Sequence, residues 1–474
     1  MKNESASASN AQEVTHFMGA IVTESKGRDK VFIIDGQQRI TSISLLILAA
    51  LYTWENGKLK VREGNKPREE DYSFYLKTWV HEPKLHLIEE DDKVYQQLLK
   101  GKIERLSDSN HNLVNNYKYF CQLLEENAED FTFDDLIGTL EKLEIIHILL
   151  GTHDDAQLIF ESLNSTGLAL TEADKIRNYM LMALPAEEQT TYYKEYWTQI
   201  EEYTKAAPTL FFRDYLTIKK ELGKPVKISD IYYEWKKYMA ERDRKKEIVQ
   251  IHTYAEYYHK VTTGKGIKKT TISKQIAEIS TLKITVANSF FIQFLKYADD
   301  QELTPAQITE VLDVMENVFV RRIICEYNTS ALSQITCSLH RNILERLTES
   351  TKKTLAAPPT YTEILKAYLL KYIPKDEEFT EKIKTRHLYN ILKPHLYFIL
   401  DRLENKFETE TNTVISDLKN KKISIDHILP QKLNEHWRSE LGENWEEIHK
   451  KYLHTLANLT LTGGIAKCPI GLFL

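Results

Sequence analysis

Between Thr190 and about Leu403, Tyr, Leu and Ile recur at helical spacing. The pattern breaks only near residues 223–225, 264–266, 304–305 and 358–359, where Gly and Pro sit. A period of 3.6 cannot line one face of a strand, so this long stretch predicts packed helices and excludes a β-rich centre. It carries no fixed-period repeat, which argues against a solenoid. β-branched runs occur only towards the ends: Lys30-Val31-Phe32-Ile33-Ile34, then residues 144–150 (Glu-Ile-Ile-His-Ile-Leu-Leu), then Ile423-Ser424-Ile425. The fold class that follows is α+β and predominantly helical, with a mixed N-terminal part, a helical middle and a small β-containing C-terminal part.

Composition narrows the class further. The chain has 474 residues, enough for about three domains by length alone. Its four cysteines (Cys121, Cys325, Cys337, Cys468) form no C-x-x-C pair, which argues against a zinc ribbon and a disulfide scaffold. No apolar run reaches the length of a membrane span, and the polar residues 1–13 do not read as a signal peptide. A cytoplasmic protein with no membrane partner is expected. The net charge is −6, from 63 basic and 69 acidic residues. Nucleic-acid binding would therefore need a local basic patch.

The first candidate site is Asp35-Gly36-Gln37-Gln38-Arg39, between the strand at 30–34 and a helix predicted over 41–54. Free backbone N–H groups at a helix start, with the positive end of the helix dipole behind them, favour phosphate. Gly36 allows close backbone approach. Arg39 can pair with phosphate oxygens, Asp35 can hold Mg²⁺, and Gln37 and Gln38 can orient a water or a base. Equally, Asp-Gly is a turn and Arg39 a solvated helix-start residue. A helix is predicted over 154–163, then a loop at 164–170 and a helix over 171–184 capped by Thr171. Glu161, Asn164 and Asp174 can complete a polar site near the first; Asn164 is also a turn former, and Asp174 a first-turn helix acid.

The second candidate site is Ile425-Asp426-His427-Ile428-Leu429-Pro430-Gln431, with Trp437 after it and His454-Thr455-Leu456-Ala457-Asn458-Leu459-Thr460-Leu461-Thr462 further on. A histidine at a strand end can deprotonate an attacking water, and a neighbouring carboxylate can hold a divalent metal at a scissile phosphate.

Both blocks resemble GmrSD-type, modification-dependent restriction proteins. Residues 31–46, around Asp-Gly-Gln-Gln-Arg-Ile-Thr-Ser, resemble the N-terminal domain of that family. So does Ile159-Phe160-Glu161-Ser162-Leu163-Asn164-Ser165-Thr166-Gly167-Leu168-Ala169-Leu170 with Asp174-Lys175-Ile176-Arg177-Asn178. The Asp426-His427 and Asn458 segments resemble its C-terminal HNH-like nuclease. The resemblance implies a ParB/sulfiredoxin-like nucleotide-binding domain over 1–190, a helical domain over 191–407 and an incomplete ββα-metal nuclease domain over 408–474. It implies NTP and Mg²⁺ or Mn²⁺ as cofactors and DNA, probed for modification, as partner; a homo-oligomer is left open. By position, Asp426 would be a metal ligand, His427 the general base and Asn458 the residue that orients the loop. His454 would support the loop or touch phosphate. Arg321-Arg322 is a basic pair worth testing against DNA.

Two departures matter. The family's upstream Ile-Pro-x-Tyr/Phe-Gln-Arg segment has no counterpart before His16. After Asn458 the chain runs Gly463-Gly464-Ile465-Ala466-Lys467-Cys468-Pro469-Ile470-Gly471-Leu472-Phe473-Leu474, a poor helix with no second oxygen ligand. Cleavage is therefore expected to be feeble, and a degenerate member that binds nucleotide or DNA without cutting is the alternative reading.

Overall fold

The β-branched run at 31–35 cannot stand alone as a strand, because one strand leaves its peptide groups unpaired. In the computed structural model it pairs with a longer neighbour. Strand β1 (His16–Ser25) lies in the centre of a three-stranded sheet, antiparallel to β2 (Val31–Asp35) and parallel to β3 (Leu143–Leu150). The described residues are 16–25, 30–62, 74–101, 110–151, 170–182, 184–352, 358–407 and 414–463. Their contacts divide the chain into two compact units, Met1–Ala169 and Leu170–Leu474. The predicted helix over 154–163 and the loop after it lie outside the described residues.

In the first unit, β2 runs through Gly36 into α1 (Gln37–Glu55). This helix starts four residues earlier than the apolar pattern begins, because the polar Gln37, Gln38 and Arg39 form its first turn. Its inner face buries Leu45, Ile47, Ala49, Ala50 and Leu51. These pack with Tyr95 and Leu98 of α2 (Glu89–Leu99), Val114, Tyr117 and Leu124 of α3 (Asn112–Glu126), and Phe133 and Ile137 of α4 (Phe133–Leu140). Each large side chain fully removed from water contributes roughly 1.5–3 kcal/mol. Thr53, fully buried on α1, returns its hydroxyl to the Ala49 carbonyl at 2.9 Å and so leaves no orphan donor.

The second unit opens with α5 (Glu172–Met182) and continues through α6 (Ala186–Tyr192), α7 (Thr198–Thr204), α8 (Pro208–Lys219), α9 (Ile231–Met239), α10 (Arg244–Thr263), α11 (Thr270–Ser280) and α12 (Asn288–Asp300). Next come α13 (Pro305–Ile324), α14 (Thr329–Lys352), α15 (Tyr361–Leu369), α16 (Asp376–Thr385), α17 (Lys393–Phe407) and α18 (Val414–Lys419). The Gly and Pro breaks read from the sequence fall between helices or at their starts. Thr304 and Gln307 form a reciprocal cap on α13, with Pro305 in its first turn. One large core joins these helices through Trp197, Phe211, Tyr215, Trp235, Phe290 and Phe319, among others. Phe212 packs edge-on against Trp235 at 5.3 Å between ring centres.

The chain ends its described part with β4 (Ile423–His427), α19 (Glu435–Leu441), α20 (Trp445–Tyr452) and β5 (Leu459–Gly463). β4 and β5 pair antiparallel, Asp426 opposite Thr460 and His427 opposite Leu459. A second small core fastens this hairpin to the helices. Ile324, Leu388, Leu396, Ile399, Leu400 and Leu459 are buried together, with Ile425, Leu456 and Leu461 packed against them. Arg321 and Arg322 work inside the unit. Arg322, 5% exposed, donates to the carbonyls of Tyr372 at 2.8 Å and Asn328 at 2.7 Å. Arg321 pairs with Asp376 at 2.6 Å. The pair singled out for DNA contact therefore closes the C-terminal end of α13. Among the described residues, no helix is long and apolar enough to cross a membrane.

Candidate functional site

The strand–loop–helix unit turns at Gly36, whose φ of 93° is left-handed. A Cβ there would sit 2.9 Å from Ile21 Cγ1, so only glycine lets β2 enter α1 so close to β1. Asp35 closes β2 and Gln37, Gln38 and Arg39 open α1, whose first turn contains no acid and has no side-chain cap. The polar side chains of this turn fold back on the sheet. Arg39 donates to the Ala20 carbonyl at 2.5 Å, and its guanidinium lies 3.7 Å from Asp35. It covers Gly19, where φ is 98° and a Cβ would meet Arg39 Cζ at 3.4 Å. β1 is irregular at this place, with its register to β3 shifting between Phe17 and Ala20. Gln37 donates to the Ile33 carbonyl at 2.8 Å. Arg39 thus ties the start of α1 to an irregular strand that cannot complete its own ladder.

Of the second block, Glu161 and Asn164 lie outside the described residues. Asp174 is in the first turn of α5, in the second unit. Its carboxylate accepts from the Thr171 hydroxyl at 2.7 Å and the Thr171 N–H at 3.2 Å, and its own N–H donates to Thr171 Oγ1. That is a capping box, with Arg177 3.7 Å away.

Three of the C-terminal candidates, His427, His454 and Asn458, come together; Asp426 does not join them. Asn458, 8% exposed, closes a short turn and precedes β5. Its amide oxygen accepts from Leu429 N at 2.6 Å, and its amide nitrogen donates to the carbonyls of Leu429 at 3.1 Å and Leu453 at 2.7 Å. The Ile428 N–H reaches the Asn458 carbonyl at 3.0 Å. One buried side chain therefore fixes the loop that leaves His427, and at the same time the segment that carries His454. Both imidazoles are then held in place: His427 Nε2 lies 3.2 Å from His454 Nδ1.

Adjacent strand residues project to opposite faces. Asp426 leaves on the exposed face, where the Thr462 hydroxyl donates to it. His427 leaves on the other, towards His454 and Tyr389. The Gln431 amide nitrogen lies 3.2 Å from His427 Nδ1. With that amide donating, Nδ1 accepts, and Nε2 carries the proton towards His454. Burial first, then His454, Lys393 and His449, hold His427 below the usual imidazole pKa; Asp426 pulls the other way. Burial, His387 and His449 lower His454 likewise. Neutral imidazoles, able to accept protons, are the result.

Three partners carried no motif signal. His449 reaches the Pro430 carbonyl at 2.9 Å. His387 lies 3.3 Å from the Lys451 carbonyl and edge-on to His454, 5.8 Å between ring centres. Tyr389 packs on both central imidazoles, at 4.4 Å from His427 and 5.4 Å from His454. They come from α20 and from the turn before α17, and nothing in their local sequence marks them.

Comparison with known families places both regions. The family model for the N-terminal domain of the GmrSD restriction endonuclease matches residues 7–181, which include Asp35 to Arg39. That for the C-terminal domain of GmrSD restriction endonucleases matches residues 373–465, which include every group from His387 to Thr462 just described. No curated protein matches the chain. The two matches stand in order and cover more than half of the sequence: this chain belongs to the GmrSD restriction endonuclease family.

Proposed function

We propose that this protein hydrolyses phosphodiester bonds of foreign or modified DNA at the HNH-like Asp426–His427 site, under the control of a nucleotide held at the ParB-like Asp35–Arg39 loop. The observation that carries the reading is the buried Asn458 amide, whose three hydrogen bonds hold the His427 loop and the His454 segment together. Catalysis needs its base fixed to a fraction of an ångström. His427 serves as general base: it takes a proton from water as the water oxygen attacks phosphorus. In the tautomer that Gln431 sets, the accepting nitrogen is Nδ1, so the water must displace the Gln431 amide to deliver its proton there, while His454 stays on the Nε2 proton.

A divalent ion, in this family's chemistry, would stabilise charge on the phosphate, with Asp426 as its ligand. Asp426 is one carboxylate, it already accepts from Thr462, and it leaves β4 on the face opposite His427. Among the described residues, no three His, Cys, Asp or Glu side chains converge to hold a metal. The described donors do not complete such a site, since Mg²⁺ keeps its hydration shell unless several oxygens are fixed around it. This observation favours the second reading, a member that binds DNA or nucleotide without cutting. At the loop, the uncapped start of α1, with no acidic residue in its first turn, supports phosphate binding.

The test is supercoiled plasmid incubated with the full chain and Mg²⁺ or Mn²⁺. Slow conversion to nicked circles, stopped by EDTA, is expected. No conversion with either ion at any protein concentration selects the non-cleaving reading.

A further inference from the structure

Leu388 is fully buried in the small core that fastens the β4–β5 hairpin to the helices. Its turn, Leu388–Asn390, is thereby pinned beside the two imidazoles. The residues flanking Leu388 both face the site. His387 lies edge-on to His454. Tyr389 donates its backbone N–H to the His454 carbonyl at 3.1 Å. Its ring stacks on His454 with only 12° between planes, and meets His427 edge-on at 4.4 Å. Lys393 Nζ lies 4.1 Å from the centre of the same ring. Such aromatic contacts add directional preference to packing. The ring therefore restricts rotation of both imidazoles, whereas Asn458 restricts only the backbone that bears them.

We propose that Tyr389 is a positioning residue of the nuclease site, setting the ring orientation of His427 and His454 from a turn outside the strand motif. The inference rests on the nuclease reading for its effect on rate, but not for its effect on ring geometry. The ring faces and the backbone N–H of Tyr389 make these contacts, not its hydroxyl. Tyr389→Phe should therefore retain what Tyr389→Leu loses.

Two readouts separate the possibilities. In histidine-labelled full-length protein, the ring-proton resonances of His427 and His454, assigned with His427→Gln and His454→Gln, should be displaced by the tyrosine ring current. The displacement should persist in Tyr389→Phe and collapse in Tyr389→Leu. In plasmid nicking with Mn²⁺, Tyr389→Leu should lower kcat by about 100-fold, the scale of a small misplacement of a reacting group, with KM for DNA nearly unchanged and Tyr389→Phe close to wild type. Resonances that do not move in Tyr389→Leu overturn the proposal. So does a kcat unchanged in folded Tyr389→Leu, or a loss shared equally by Tyr389→Phe. A wild-type chain that does not nick sinks the nuclease reading instead; the resonances then decide the positional claim by themselves.

Discussion

The two candidate sites begin alike, with an acidic residue at or next to the end of a short strand, and then diverge. After β2 the polar residues turn inward on their own neighbourhood: Arg39 to the Ala20 carbonyl and Asp35, Gln37 to Ile33. After β4 they meet groups from distant segments: His427 touches His454 and Tyr389, and Asn458 holds Leu429 and Leu453. A run of polar residues in sequence can thus be consumed by local structure. A site for chemistry is better recognised where side chains converge without needing one another to complete a strand or a helix end. Convergence also costs stability, because it crowds titratable groups.

The largest expected effect is at Asn458. Asn458→Ala leaves a buried N–H and two carbonyls without a partner, and should destabilise the second unit by about 4 kcal/mol, each orphaned group costing roughly 1–3 kcal/mol. Urea unfolding reads this directly. Asn458→Asp keeps an acceptor for Leu429 N but turns a buried carboxylate on the Leu429 and Leu453 carbonyls, and should destabilise at least as much at neutral pH. Equal stability of all three proteins would mean that the amide does not fix the loop.

A buried histidine on α14 that belongs to neither site sharpens the contrast. His340 bonds to the Tyr361 hydroxyl at 2.8 Å, and burial lowers its pKa to about 4. The unfolded chain takes up this proton as pH falls through about 6.5, whereas the folded chain does not until about 4. The stability contribution is therefore complete above about pH 6.5 and lost progressively down to about pH 4, by up to about 3 kcal/mol. His340→Gln should remove that part of the acid sensitivity in denaturant titrations at pH 7 and pH 5. An unchanged slope would show that His340 protonates in the fold.

At the loop, Arg39→Ala should destabilise the first unit by about 2 kcal/mol by orphaning the Ala20 carbonyl, and weaken nucleotide binding about tenfold by removing a charge-assisted donor. Isothermal titration with ATP and GTP, set beside thermal unfolding, separates the two. Loss of stability with unchanged affinity would make Arg39 a clamp alone. Asp174→Ala, the smallest effect, should cost about 1 kcal/mol as the loss of a helix cap. A parallel loss of nucleotide affinity would add Asp174 to the nucleotide site.

What the sequence made legible follows from how local each signal is. The strands at 31–35 and 144–150, the long helical middle, the cap at Thr171 and the break at 304–305 are set by residues within a turn of one another. The Asp426–His427 strand was legible for the same reason, and Asn458 through its family context. Tyr389, His387 and His449 were not, because what places them is the burial of Leu388 and the packing of α20, which no local pattern encodes. Arg39 was half legible: its position at a helix start could be read, but not its bond to the irregular strand at Ala20.

We propose that His427, at the end of β4, and the His454 imidazole beside it do the cutting. Single-turnover cleavage of plasmid by the wild-type chain and by His427→Ala, with Mn²⁺ in excess, tests it most directly. The expected result is a slow wild-type rate that falls by at least about 100-fold in His427→Ala, the contribution typical of a general base, with the variant folded by its unfolding curve. Equal cleavage rates in the two proteins would contradict it and place the chemistry elsewhere in the chain.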